Sequence, residues 1–308
     1  MKKRLLLSAA LLAFACASRA AGQEAAWSRY TYAGEEFSVE LPGTPLVYNT
    51  DRLVNGNLRK PNYEKVRVFD LYSGGVIFFV AAYDRPHPEE SFDFFAAELR
   101  GAWGLVAKGD LKLGGFEGRS YEAVGTQRGR KFYDVHGEAR VFRAKSHAYL
   151  LLALSTEPNR PEVRRFLDSV TLGPAPAGEQ VAAEAPVPRY VAPKKQEGPP
   201  PEAVPNLVRG PDDPYEMKEL EHKAVIVYKP EPPYTEEARK RNVTGVIRVR
   251  AVLSPTGEVV RPEVLKSLPS GLTESALRVT RHMRFFPAEK DGRPVPQYVV
   301  LEFNFNIY

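Results

Sequence analysis

Side chains that could catalyse a reaction or hold a metal ion are sparse in this sequence. The five histidines lie at no spacing that would place two of them, or one of them and a cysteine, in a metal site. The sequence contains no Gly-x-Ser-x-Gly elbow, no phosphate-binding glycine loop and no dinucleotide fingerprint. We therefore expect no catalytic residue, no bound metal and no cofactor, and we expect that the chain is not an enzyme.

The strongest chemical signal comes from backbone groups near the end of the sequence. Val295 to Tyr308 alternates apolar and polar residues, which indicates a half-buried β-strand. Because the sequence ends at Tyr308, we expect the backbone N–H and C=O groups of this strand to stay open to a second chain. An ordinary strand without a partner would show the same alternation. The face opposite the apolar one consists of Tyr298, Val300, Glu302, Asn304 and Asn306.

Length and composition favour a folded protein with two domains. The chain has 308 residues, of which 43% are hydrophobic, so packed cores of ordinary size are feasible. The formal net charge is +5, but the cations are scattered among acidic residues. Nucleic acid is therefore not a predicted partner, because its binding needs a concentrated basic patch.

The first 22 residues have the pattern of a signal peptide. Lys2, Lys3 and Arg4 precede the apolar stretch Leu5 to Ala17, and small residues follow near Ala20. A membrane span needs about 20 apolar residues, and this stretch is shorter. We expect an exported protein of the periplasm whose signal is removed.

Cys16 is the single cysteine of the sequence, so no disulfide can form within one chain. The segment Ala13 to Cys16 loosely matches a lipoprotein motif, which makes Cys16 a candidate lipidation site. The alternative is that Cys16 is one more apolar residue of the removed signal.

Residues 27–172 are predicted to form an α+β domain, an antiparallel sheet with two helices. Its strands are predicted at Glu36–Leu41, Tyr63–Tyr72, Val76–Ala82, Phe116–Val124, Lys131–Ala144 and His147–Ser155, and its helices begin near Pro88 and Asn159. The order of elements, from FSVELPG to RRFLDSVTL, resembles the PsbP-like fold of small secreted bacterial domains.

Residues 173–214 are predicted to be a disordered linker. Eleven of them are proline and large apolar side chains are nearly absent, so the segment cannot bury enough surface to offset its ordering entropy. In a polyproline conformation it would reach up to ~130 Å. A plain tether between domains would explain the same composition.

Residues 221–308 are predicted to form a second domain with a three-stranded antiparallel sheet and two helices. Thr235 is predicted to cap the first helix and Thr273 the second, with Phe285 and Phe286 closing the latter. Arg278, Arg281 and Arg284 are predicted to form a solvated basic face.

The second domain resembles the C-terminal domain of TonB. The resemblance rests on Pro233-Tyr234, Gly245, Gly257, Phe286-Pro287-Ala288 and Gly292-Arg293-Pro294-Val295, which occur in the order and spacing of that family. It implies a periplasmic domain that grips the N-terminal peptide of an outer-membrane receptor as a strand beside Val295 to Tyr308. It also implies that the segment before the first helix touches the peptide, namely Lys229, Pro230, Glu231, Pro232 and Pro233.

The resemblance leaves three hypotheses open. The first is capture of a peptide from a TonB-dependent receptor or another envelope protein, in energy-coupled transport across the outer membrane. The second is a complete energy transducer with an uncleaved signal as anchor and an ExbB/ExbD-type complex as partner. Against it stands the absence of histidine from the first 26 residues. The third is an envelope scaffold or adaptor, uncoupled from the proton gradient, whose C-terminal domain forms a homodimer through its edge.

Overall fold

The computed structural model describes residues 26–50, 66–84, 92, 103–128, 131–133, 135–144, 147–173, 179–180 and 213–306. The predicted signal peptide, Cys16 and most of the predicted linker lie outside these residues. So does the helix predicted to begin near Pro88, apart from Phe92. Within the described ranges, no helix combines the length and the apolar character needed to cross a bilayer.

A seven-stranded antiparallel sheet dominates the N-terminal domain. Its strand order is β3-β4-β5-β11-β10-β7-β6. The central strands β5 and β11 are buried along almost their whole length, as their continuous apolar runs require. The strands of this sheet are β3 (Leu46–Thr50), β4 (Val66–Ser73), β5 (Val76–Asp84), β6 (Leu105–Leu113), β7 (Phe116–Ala123), β10 (His136–Arg143) and β11 (His147–Ser155).

Smaller elements complete this domain. A four-stranded sheet and the helix α1 (Pro161–Asp168) cover one face of the large sheet, where Val163, Phe166 and Leu167 enter the core. The remaining strands are β1 (Ser28–Thr31), β2 (Phe37–Leu41), β12 (Thr171–Leu172) and β13 (Glu179–Gln180) in the four-stranded sheet, and β8 (Thr126–Arg128) and β9 (Lys131–Tyr133) in a separate hairpin.

Three expectations for this part of the chain need correction. The strand predicted over Lys131–Ala144 is two strands, β9 and β10. The strand β6 was not predicted, because Leu105–Leu113 is mostly exposed and lacks a clean alternation. Finally, Glu179–Gln180 pairs in parallel with Tyr30 and Thr31, so this part of the predicted disordered linker adds to a sheet.

The C-terminal domain has the predicted three-stranded antiparallel sheet and two helices. The sheet has the order β16-β15-β20, and the helix α3 packs on one face of it. A ribbon and a hairpin complete the domain. Its elements are β14 (Val225–Tyr228), α2 (Glu236–Lys240), β15 (Gly245–Leu253), β16 (Val259–Lys266), α3 (Leu272–Arg281), β17 (Arg284–Phe286), β18 (Ala288–Lys290), β19 (Arg293–Val295) and β20 (Gln297–Phe305).

The helix ends were predicted with mixed success. Thr235 caps α2, since its hydroxyl accepts a hydrogen bond from the Ala238 backbone N–H at 3.1 Å. The prediction for Thr273 is wrong, because Gly271 is the N-cap of α3. The Thr273 hydroxyl instead bonds to both backbone groups of Leu268. The prediction that Phe285 and Phe286 close this helix is also wrong, because β17 contains both residues and pairs with β14.

The two domains share one hydrophobic core. Val227, Tyr228 and Phe286 of the β14–β17 ribbon are buried in the same cluster as the second face of the seven-stranded sheet. The Trp103 indole donates a hydrogen bond to the Val227 carbonyl at 2.9 Å. The Tyr228 ring lies edge-on to Phe79, with ring centres 5.3 Å apart. The ribbon therefore docks the C-terminal domain onto the N-terminal sheet.

Candidate functional site

The last strand lies at the border of its sheet. β20 pairs with β15 in unbroken register from Gly245 opposite Phe305 to Leu253 opposite Gln297. On the other side, the only described backbone partner is Tyr215, which forms a single parallel bridge to Gln297. Within the described residues, no strand pairs with β20 beyond that bridge.

The contacts of Tyr215 show which backbone groups of β20 face outward. The Tyr215 N–H donates to the Pro296 carbonyl at 2.8 Å, and the Tyr298 N–H donates to the Tyr215 carbonyl at 2.9 Å. Backbone groups alternate sides along a strand, so every second residue points the same way. The backbone groups of Val300, Glu302 and Asn304 therefore face away from β15. We call these groups the outer edge.

Side chains of the same residues line the solvent face of the strand. Val300, Glu302, Asn304 and the following Asn306 are exposed, whereas Leu301, Phe303 and Phe305 are buried against α3 and its neighbours. The structure thus brings the predicted residues of the strand together on one face, with half-buried Tyr298 at its start.

Two arginines of β15 flank this face. The Arg248 guanidinium pairs with the Glu302 carboxylate at 3.1 Å, and the Arg250 guanidinium lies 4.1 Å from the centre of the Tyr298 ring. Both were missed by sequence reasoning, although their alternation with Ile247, Val249 and Ala251 could have placed them beside the final strand. Tyr215 was missed as well, and nothing in its sequence surroundings signals its bridge.

The predicted segment before α2 is not regular secondary structure, and its first residue, Lys229, contacts β20. The Lys229 ammonium donates to the Glu302 carbonyl at 2.5 Å and lies 4.5 Å from the centre of the Phe303 ring. At the far end, the Pro233 carbonyl accepts a hydrogen bond from the Ser275 hydroxyl of α3 at 2.7 Å. Pro230 is buried, Glu231 is exposed and Pro232 is half-buried. The structure therefore brings Lys229 itself to the outer edge.

A buried polar network between the domains lies next to this segment, because Arg284 pairs with Tyr228, the residue before Lys229. Arg284 forms an ion pair with Asp70 of β4, and the Tyr48 hydroxyl donates to the same carboxylate at 2.8 Å. The Tyr48 ring stacks on His282, with ring centres 3.8 Å apart. Burial, reinforced by the Asp70 charge, raises the pKa of Tyr48 well above its usual value. The prediction that Arg284 belongs to a solvated basic face is therefore wrong, because an anion from the other domain compensates its burial.

The described residues contain no group of three or more histidine, cysteine, aspartate or glutamate side chains that could hold a metal ion. Backbone hydrogen-bonding groups are the chemistry that this site offers. Together, the fold and the outer edge define an antiparallel sheet domain whose last strand lies at a border that no other described strand covers beyond the Tyr215 bridge.

Comparison with known families identifies the domain. Residues 230–307 match the family described as Gram-negative bacterial TonB protein C-terminal. The match covers about a quarter of the chain and includes α2, β15, β16, α3 and all of β20. The chain therefore carries a TonB-family C-terminal domain, which confirms the resemblance found in the sequence. No curated protein matches the chain.

Proposed function

We propose that this protein binds a short extended peptide of an outer-membrane receptor, or of another envelope protein, as an additional β-strand beside β20. The peptide would pair with the outer edge in the periplasm. The function is binding rather than catalysis, and it serves energy-coupled transport across the outer membrane. The partners are of the kinds that the TonB family meets, namely outer-membrane receptors and ExbB/ExbD-type complexes.

One observation carries this proposal. The outer-edge groups of Val300, Glu302 and Asn304 have no strand partner among the described residues, while the neighbouring Tyr215 already pairs in the manner of an added strand. Each backbone hydrogen bond contributes about 0.5–1.5 kcal/mol net. A few such bonds, with side chains packing on both faces, give the modest affinity of a reversible contact.

A proline at position 300 tests the proposal. Proline has no N–H, and it is tolerated in an edge strand where the N–H faces solvent. Because the Val300 N–H faces outward, the Val300→Pro variant should keep its pairing with β15. We expect it to lose at least about tenfold in affinity for a peptide from a receptor N-terminus, because the added strand loses a hydrogen bond and meets the proline ring. Isothermal titration of the full chain measures this.

The matched control is Val300→Thr, which keeps the N–H and the β-branched shape. It should bind the peptide within about twofold of the unaltered chain, and both variants should keep the far-ultraviolet circular dichroism of the unaltered chain. Equal peptide affinities of the two variants, with the fold intact, would contradict strand addition at this edge.

A scaffold or adaptor function is the second candidate, and the docked N-terminal domain favours it. A peptide partner of the TonB-like domain would be joined, through the shared core, to whatever the N-terminal domain contacts. In this version a second copy of the chain could pair through β20. The solution mass of the full chain tests for this homodimer. A monomer at concentrations well above those that saturate the peptide site would exclude a homodimer as the working state.

A further inference from the structure

We propose that Lys229 closes the outer edge of β20 in the unbound protein, and that it selects guest peptides with an acidic side chain beside the Glu302 position. This inference rests on the proposed strand addition and names a specificity residue for it.

The Glu302 carbonyl faces away from β15, as the Pro296 carbonyl and the Tyr298 N–H do, and it is therefore an acceptor that an added strand needs. The Lys229 ammonium already donates to it at 2.5 Å. A carbonyl oxygen accepts at most two hydrogen bonds, so a guest N–H has to share this oxygen with the ammonium or displace the ammonium.

The backbone next to Lys229 is anchored on both sides. The preceding residue Tyr228 and the following residue Pro230 are both buried, and Tyr228 lies in the core shared by the two domains. The ammonium also lies 4.5 Å from the centre of the Phe303 ring, a favourable cation–π distance. Burial of both neighbours fixes the backbone position of Lys229, and the lysine side chain reaches the outer edge from that position.

The contact of Lys229 with the Glu302 carbonyl affects which guest peptides can bind. A charge-assisted hydrogen bond is stronger than a neutral one, so a guest that offers only backbone groups competes at this carbonyl with the stronger bond. If the guest residue opposite Glu302 carries a carboxylate, the displaced Lys229 ammonium gains a new anionic partner. A half-buried lysine whose ammonium lies at a sheet edge also discourages pairing with the wrong strand. The same residue would therefore reduce unselective pairing and favour an acidic guest.

Two synthetic peptides test the inference on the full chain. Both are acetylated octapeptides that alternate threonine and valine, and they differ only in one central residue, glutamate or glutamine. The unaltered protein should bind the glutamate peptide roughly fivefold to tenfold more tightly. The Lys229→Met variant should bind the glutamine peptide about threefold to tenfold more tightly than the unaltered protein does, and its preference for glutamate should fall below about twofold.

Two controls accompany these titrations. Lys229→Arg keeps the charge and should keep the preference for glutamate, whereas Lys240→Met on the exposed surface of α2 should change neither affinity. Backbone amide spectra of every protein report whether the peptide reaches the edge and whether the fold is intact.

The outcomes separate the two proposals. If the amide signals of residues 300, 302 and 304 shift but Lys229→Met alters neither affinity nor preference, the role of Lys229 is wrong and strand addition stands. If neither peptide shifts those signals in any of the proteins, strand addition itself fails and the role of Lys229 fails with it.

Discussion

At the scale of single residues, the most consequential one is Arg284. Its position in the sequence, three residues after Arg281, favoured a solvated helix face, and the structure buries it against Asp70 instead. No local pattern could have shown this, because the anion belongs to a residue more than 200 positions earlier in the chain. Sequence reasoning succeeded where the cause is local, as for the Thr235 cap.

Removing Arg284 should destabilise the whole protein. The Arg284→Met variant leaves the Asp70 carboxylate buried without its cation, which costs about 3–5 kcal/mol of unfolding free energy. Asp70→Asn should be costly for the reciprocal reason. The double variant should be clearly more stable than the sum of the two effects predicts, because neither charge is then left alone. Urea unfolding followed by circular dichroism measures all four proteins, and additive single effects would contradict a direct ion pair.

At the scale of elements, the strands with strong alternation or continuous apolar runs were predictable from the sequence. Short strands without periodicity, which are strands only because they pair with a distant segment, were not predictable. The final strand, the strand His147–Ser155 and the three-stranded sheet follow from periodicity and turn residues. Strand β17 was missed because three residues, Arg284 to Phe286, carry no period, and they form a strand only by pairing with β14. The outer edge was predicted as a feature, but the contact of Lys229 with it needs three-dimensional structure.

The turn between β15 and β16 offers a test of domain docking. Gly257 has a positive φ of 83°, and a Cβ there would overlap the ring of Tyr72 in the N-terminal domain. Gly292 between β18 and β19 also has a positive φ, 69°, but a Cβ there would meet nothing within 4 Å. Alanine at either position costs about 1 kcal/mol in backbone strain.

Gly257→Ala should therefore lower the unfolding free energy by about 1–3 kcal/mol more than Gly292→Ala does, because only the former also forces the domains apart. Urea denaturation of the two variants side by side gives the difference. Equal losses would mean that the turn does not press on Tyr72 in solution.

At the scale of the whole molecule, the sequence predicted two domains separated by a linker, and the structure joins them through a common core. Composition locates a proline-rich stretch but says nothing of the surfaces on either side of it. The shared cluster of Val227, Tyr228 and Phe286 with the seven-stranded sheet depends on contacts that no single segment encodes. Docking on the N-terminal sheet thereby fixes the position of β14, the strand that immediately precedes Lys229 and the candidate site.

Docking of this kind predicts that the two domains unfold together. The indole N–H signal of Trp103 reports the contact with the Val227 carbonyl, and the amide signals of β20 report the C-terminal sheet. Both sets of signals should disappear at the same urea concentration, since loss of either domain exposes the common core. Well-separated midpoints in the unaltered protein would show that the domains are independent.

The central claim is that the outer edge of β20 accepts a guest strand, and amide hydrogen exchange tests it most directly. Residues of even number in β20 direct their N–H groups outward, and those of odd number bond to β15. On adding a receptor peptide, we predict that the amides of Val300, Glu302 and Asn304 gain protection, whereas those of Leu301 and Phe303 stay as slow as before. Unchanged exchange at the three even positions, under conditions where the peptide is bound, would contradict the account.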